Sequence, residues 1–230
     1  MSDVSNDGII LCQPDNVKGC SLCCGLFNFS DISPDSLSCF LSEGESRERT
    51  FSSYGIFKTP AAVRDRFSHI CPFQGFLKKN KPGCLIHPLY SGVEGRDRSL
   101  FASKICDNFF CPAHTILSEE EKKFLIENVT DWYLYSAALA DPESYSFIYN
   151  FVKDNFDVTG DQNSAGLLVK KGLAVHGENL AAYNGIIFFY SIPEYNINKK
   201  NFCIRYINET RDLVVSRIIK SASVFNLNQN

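Results

Sequence analysis

A chain of 230 residues with 44% apolar content has enough material to bury a real core, as one large domain or two small ones, so disorder is not its default state. A formal net charge of -3 leaves no basic footprint of the kind that dominates non-specific nucleic-acid affinity, and no nucleic acid is expected as a partner. The first residues carry Asp3 where a secretory signal would carry positive charge, and no run approaches the roughly 18 consecutive apolar residues of a membrane helix. A soluble, cytoplasmic protein without a membrane partner is the expectation.

In chain order, residues 1–115 read as loops with short elements. Ser33-Pro34-Asp35 predicts a short helix through Phe40 and Leu41, with Ser33 as the cap and Pro34 in the first helical position. Lys58-Thr59-Pro60 and Lys81-Pro82-Gly83 read as loops, and no apolar periodicity is sustained around them. Such a segment has little apolar material of its own to collapse around.

Residues 116–230 read as helices. Ser118-Glu119-Glu120-Glu121 is a capping box, followed at helical spacing by Phe124, Leu125, Val129, Trp132 and Tyr133. Asp141-Pro142-Glu143 opens another helix, with Ile148, Phe151 and Val152 on one face. Ser164 caps a further segment through Leu167 and Leu168, with Gly172 and Gly177 as breaks. Glu178 to Tyr190 reads as the next helix, and a last one runs from about Asn201 through Ile204, Ile207, Val214, Ile218 and Ala222. The fold class expected is mainly α, with a metal-stapled, loop-rich N-terminal half packed on an irregular helical C-terminal half, as two regions or one continuous domain.

The chemistry lies in the cysteines. Nine of the ten fall within the first 111 residues. In a reducing compartment such a pattern points to metal or catalysis before disulfides. Thiolate sulfur is the preferred ligand of zinc and of iron–sulfur iron, and a tetrahedral site is commonly a close pair plus residues brought in from afar. Cys20 and Cys23 are such a pair, and Cys71, Cys84, Cys106 and Cys111 supply further sulfurs.

Cys23 and Cys24 are adjacent, and in extended chain their side chains diverge from alpha carbons about 3.8 Å apart. They then face two centres, or bind different irons of one cluster, or one of them is structural. Cys39 and Cys203 have no thiol near them in sequence and read as small buried hydrophobes. Cys12, eight residues before Cys20, is open between ligand and structural thiol. His69, His87 and His114 flank cysteines, but each reads as a surface or hydrogen-bonded histidine before a ligand. The aromatic groups of the second half read as core.

Cys20-Ser21-Leu22-Cys23-Cys24, then Cys71-Pro72-Phe73, Gly83-Cys84-Leu85-Ile86-His87-Pro88, Cys106 and Cys111-Pro112 resemble the YkgJ-type cysteine-cluster family (CxxCxxCC), described as zinc- or iron-chelating. The likeness runs over residues 12–114. It implies metal chelation by Cys20, Cys23, Cys24, Cys71, Cys84, Cys106 and Cys111, with Zn, Fe or an iron–sulfur cluster as cofactor. The family's leading cysteine would fall at Val17, and Cys12 is the residue that could stand in for it.

Similar motifs occur in the flagellin lysine-N-methylases, so a metal- or iron–sulfur-dependent enzyme is the alternative. Arg96, Asp97 and Arg98 would then be its substrate contacts, although such a loop is more often solvated charge. Thiol redox through Cys20 and Cys23 ranks last, because no alternating α/β pattern surrounds them.

Overall fold

The computed structural model describes residues 8–51, 59, 61–156 and 162–224. Residues 1–7 and the loop markers Lys58 and Pro60 lie outside the described residues. In chain order come α1 (Pro34–Ser42), α2 (Gly44–Thr50), β1 (Gln74–Lys78), β2 (Lys81–Cys84), α3 (Pro88–Ser91), α4 (Ala102–Asn108) and α5 (Ala113–Ile116). Then follow α6 (Glu119–Asn128), α7 (Trp132–Ala140), α8 (Pro142–Asn155), α9 (Gln162–Ala182), α10 (Ile192–Asn198) and α11 (Asn208–Val224). The fold is mainly α, and no described helix is long and apolar enough to cross a membrane.

Helices begin where a polar side chain satisfies an N–H that the first turn leaves unpaired. Ser33 accepts the Ser36 N–H at 3.4 Å, with Pro34 in the first turn of α1. Ser118 and Glu121 close a reciprocal capping box on α6. The apolar spacing from Phe124 to Tyr133 does not make one helix. α6 ends at Asn128, and Asp131 starts α7 afresh by accepting the Tyr133 and Leu134 N–H groups at 2.9 Å.

α9 runs unbroken through Gly172 and Gly177, which local propensity marks as breaks. A Cβ at Gly172 would stand 2.8 Å from Ile148 Cγ2 and 3.0 Å from Ile218 Cδ1, and one at Gly177 3.0 Å from the Tyr133 ring. Close packing against α7, α8 and α11 thus offsets a glycine penalty of about 0.5–1 kcal/mol in a helix interior. Glu178 belongs to the end of α9, residues 183–190 are not helical, and the last helix begins at Asn208.

Lys81-Pro82-Gly83 is strand, not loop. Phe76 pairs with Pro82 and Gly75 with Gly83 in an antiparallel hairpin turned by Asn80 at φ 58°. A two-stranded hairpin has only edge strands, where proline removes no bond from a central ladder.

The first half does not lack apolar material; it lacks a core of its own. Leu11, Leu22, Leu26, Phe27, Ile32 and Leu37 are buried in one continuous cluster with Tyr135, Tyr145, Ile148, Leu168 and Val214 of the second half. Arg64 ties the same halves through polar bonds. Its guanidinium donates to Phe29 O at 2.9 Å and Gly185 O at 3.0 Å, and to Ala181 O and Leu180 O at 3.3 and 3.4 Å. The last two are end carbonyls of α9, which the helix cannot pair and which favour a cation.

Candidate metal centre

The stretch Cys20–Cys24 is a tight turn. Cys20 N–H donates to Cys12 O at 3.0 Å, Cys24 N–H to Ser21 O at 3.1 Å and Gly25 N–H to Leu22 O at 2.8 Å. Neighbouring side chains need not diverge in a turn as they do in extended chain. The thiols of Cys23 and Cys24 hydrogen-bond to each other, and Cys24 bonds onward to Cys71.

Gly25 ends the turn at φ 85°, and a Cβ there would lie 2.0 Å from His69 O. Left-handed backbone costs a non-glycine residue about 1–2 kcal/mol, and here a backbone clash adds to it. Gly25→Ala is expected to cost at least about 2 kcal/mol, lowering the thermal midpoint by roughly 4–8 °C. Gly92→Ala is the control, with φ 77° and nothing within 4 Å of the added methyl. Equal midpoints for the two variants would mean that the close approach to His69 does not constrain the turn.

The later thiols are brought to this turn by backbone bonds. Cys71 N–H donates to Cys24 O at 2.8 Å. The fully buried Gln74 donates its Nε2 hydrogens to both Cys24 O and Cys71 O at 3.0 Å, which fixes which end of the amide faces them. Arg47 from α2 holds the same segment through Gln74 O at 2.9 Å, and its guanidinium stacks on Phe40. Cys84 ends β2, and with Cys24 and Cys71 it packs into a small apolar cluster containing Phe73 and Ile86. Cys106 lies exposed on α4.

Cys111 precedes α5, with its Sγ 3.5 Å from His114 Nδ1. His114 Nε2 accepts the Leu11 N–H at 3.0 Å, so Nδ1 carries the proton and faces the sulfur. Two tyrosines of the helical half pin the loops from the other side: Tyr135 donates to Leu11 O at 2.8 Å and Tyr190 to Cys23 O at 3.2 Å.

The thiols influence one another in two overlapping groups. Cys12, Cys20, Cys23 and Cys111 form one, and Cys23, Cys24, Cys71, Cys84 and Cys106 the other. Burial pushes Cys84 and Cys111 up to about 12, and raises Cys12, Cys20 and Cys106 as well. Donating to Cys23 and Cys71 raises Cys24. Cys71 goes the other way: the hydrogen bond from Cys24 holds it below the usual thiol range, and nearby His69 lowers it further. A bound cation would reverse this balance, since a coordinating thiol loses its proton outright.

Among the described residues, no group of three or more His, Cys, Asp and Glu side chains converges closely enough to hold a metal ion. Metal binding would require the thiols to draw together. The donor chemistry nonetheless fits a thiophilic metal, and His69 stands beside that array with its buried ring nitrogens free of any nitrogen or oxygen partner and its side chain against Cys71.

The remaining sequence candidates fall elsewhere. Val17, where the resembling family would have its leading cysteine, is 59% exposed, whereas Cys12 stands beside Cys20, Cys23 and Cys111. Cys203 is buried, but Cys39 is exposed, because it lies on the solvent side of α1 while Leu37 and Leu41 fill the core. Arg96 is neither solvated nor open to a substrate: it is buried between Glu94 and Asp107. Arg98 pairs with Glu48 at 2.6 Å and lies over the Phe73 ring.

No family model matches this chain. No curated protein and no solved structure matches it significantly either. The site therefore stands on its own residues. Sequence reasoning missed Gln74, Tyr135 and Tyr190 as supports of the loop, and the only signal was a lone glutamine three residues after Cys71.

Proposed function

We propose that the protein binds a thiophilic metal, zinc or iron, the latter as ions or as an iron–sulfur cluster, through its clustered cysteines. One observation carries this. Cys12, Cys20, Cys23, Cys24, Cys71, Cys84, Cys106 and Cys111 come from separate segments yet share one neighbourhood, while Cys39 and Cys203 stand apart from it. Hydrophobic burial alone gives thiols no reason to gather, because any small apolar side chain would fill the same space. Thiolate ligation to a shared metal does.

The resemblance to the YkgJ-type cysteine-cluster family supports the same reading. Elemental analysis of anaerobically purified protein, with its absorption spectrum, tests it. Stoichiometric zinc in colourless protein identifies thiolate-bound zinc, and iron with a broad band near ~400 nm identifies a cluster. Protein that neither carries zinc or iron nor takes them up under anaerobic titration would overturn the proposal.

A further inference from the structure

All four histidines of the chain fall within the described residues, and three have a named partner for at least one ring nitrogen. His114 is held between the Leu11 N–H and the Cys111 sulfur. His87 uses Nδ1 to cap α3, accepting the Leu89 N–H at 3.1 Å. His176 sits in the helical half with Nε2 3.1 Å from Asp141 Oδ2, close enough for an ion pair though out of line for a hydrogen bond. His69 has both ring nitrogens buried with no nitrogen or oxygen partner, and its side-chain contact is with the Cys71 thiol.

A thiol is a weak hydrogen-bond partner, so an imidazole buried against sulfur alone recovers little of its desolvation cost, and an apolar residue would fill the same space without it. The ring is also fixed in place. It meets the Phe101 ring edge-on at 5.2 Å between centroids, and its backbone carbonyl is wedged against Gly25, directly after Cys24. Two residues on, Cys71 is hydrogen-bonded through its backbone to Cys24 and through Gln74 to the same carbonyl. The imidazole therefore stands against the Cys24–Cys71 end of the thiol array.

We infer that His69 is a metal ligand, joining Cys24 and Cys71 in a centre of mixed nitrogen and sulfur ligation. This rests on the metal-binding reading above and extends it to a residue outside the cysteine pattern. Imidazole nitrogen is a normal partner of thiolate at zinc, and a neutral imidazole in place of one thiolate leaves the centre one negative charge lighter. The Cys12, Cys20 and Cys111 end, whose neighbouring His114 has both ring nitrogens engaged, keeps sulfur ligation.

The test is X-ray absorption at the zinc edge on full-length protein loaded anaerobically with Zn²⁺, for wild type, His69→Ala and His69→Cys. Wild type should show imidazole scattering that is lost in His69→Ala, with a weaker Zn²⁺ affinity. His69→Cys should keep the zinc stoichiometry but show sulfur in place of nitrogen, and it serves if the alanine variant fails to fold. Zinc bound by sulfur alone in wild type, or imidazole scattering that persists in both variants, overturns the assignment and leaves metal binding standing. Failure of wild type to bind zinc or iron at all removes both.

Discussion

If the protein carries the proposed metal, stripping it with a chelator is expected to release the cysteine loops while the helical half stays folded. Hydrogen exchange should quicken at least about a hundredfold over the turn at Cys20–Gly25 and the hairpin at Gln74–Cys84. A ligand at a hundred times its dissociation constant stabilises by about 2.7 kcal/mol, and structural zinc peptides gain roughly 10–16 kcal/mol, so this is a lower bound.

The loss should stay local for a physical reason. Leu11, Leu22, Leu26 and Phe27 are anchored in the common core and do not need metal to be buried. Cys24, Cys71 and Cys84 instead rest on a small cluster around Phe73 and Ile86. Exchange that is the same with and without chelator, on protein shown to have carried metal, would mean that the metal does not hold these loops.

Asp141→Ala is expected to cost about 3–5 kcal/mol, because it strips several buried donors of their shared acceptor, each worth about 1–3 kcal/mol when left unsatisfied. This carboxylate joins four parts of the helical half, ending α7 and capping α8. Oδ1 accepts the Tyr195 hydroxyl of α10 at 2.7 Å and the Ser144 N–H at 3.2 Å, and Oδ2 accepts the Ser144 hydroxyl and faces His176 of α9. Ser144 Oγ in turn accepts the Ile204 N–H at 3.0 Å. Asp141, Ser144 and His176 are all fully buried, so water cannot replace the lost acceptor. An unfolding free energy from urea titration at pH 7 within about 1 kcal/mol of wild type would show that the network is dispensable.

The same carboxylate sets a pH dependence. Burial by itself raises its pKa, but the contact with His176 and the hydrogen bonds from Ser144 and Tyr195 outweigh it, so the folded value lies below the ordinary one. A depressed carboxyl pKa contributes stability that is present above the unfolded value of about 3.9 and is lost as pH falls through the folded value. Stability should therefore fall on acidification below about pH 4, and Asp141→Asn should flatten that limb.

Helix starts were legible because they are local chemistry. Ser33, Ser118 and Asp141 each satisfy an N–H three residues ahead, and a pattern that short is visible in sequence. Gly172 and Gly177 misled for the same reason: propensity weighs only the local chain, whereas their missing side chains admit Ile148, Ile218 and Tyr133 from other helices.

The sequence by itself determined the mainly helical class, the helix caps at Ser33, Ser118 and Asp141, and the separation of the clustered thiols from Cys39 and Cys203; Ser164, read as a cap, lies inside α9. Tertiary structure decided that the loop-rich half shares the helical half's core. It also placed Cys23 and Cys24 in one turn, Cys12 rather than residue 17 beside the array, and His69 against Cys71. The bonds responsible span long stretches of chain: 50 residues from Gln74 to Cys24, 124 from Tyr135 to Leu11 and 167 from Tyr190 to Cys23. No local spacing encodes such a bond, because its partners meet only after the intervening chain has packed.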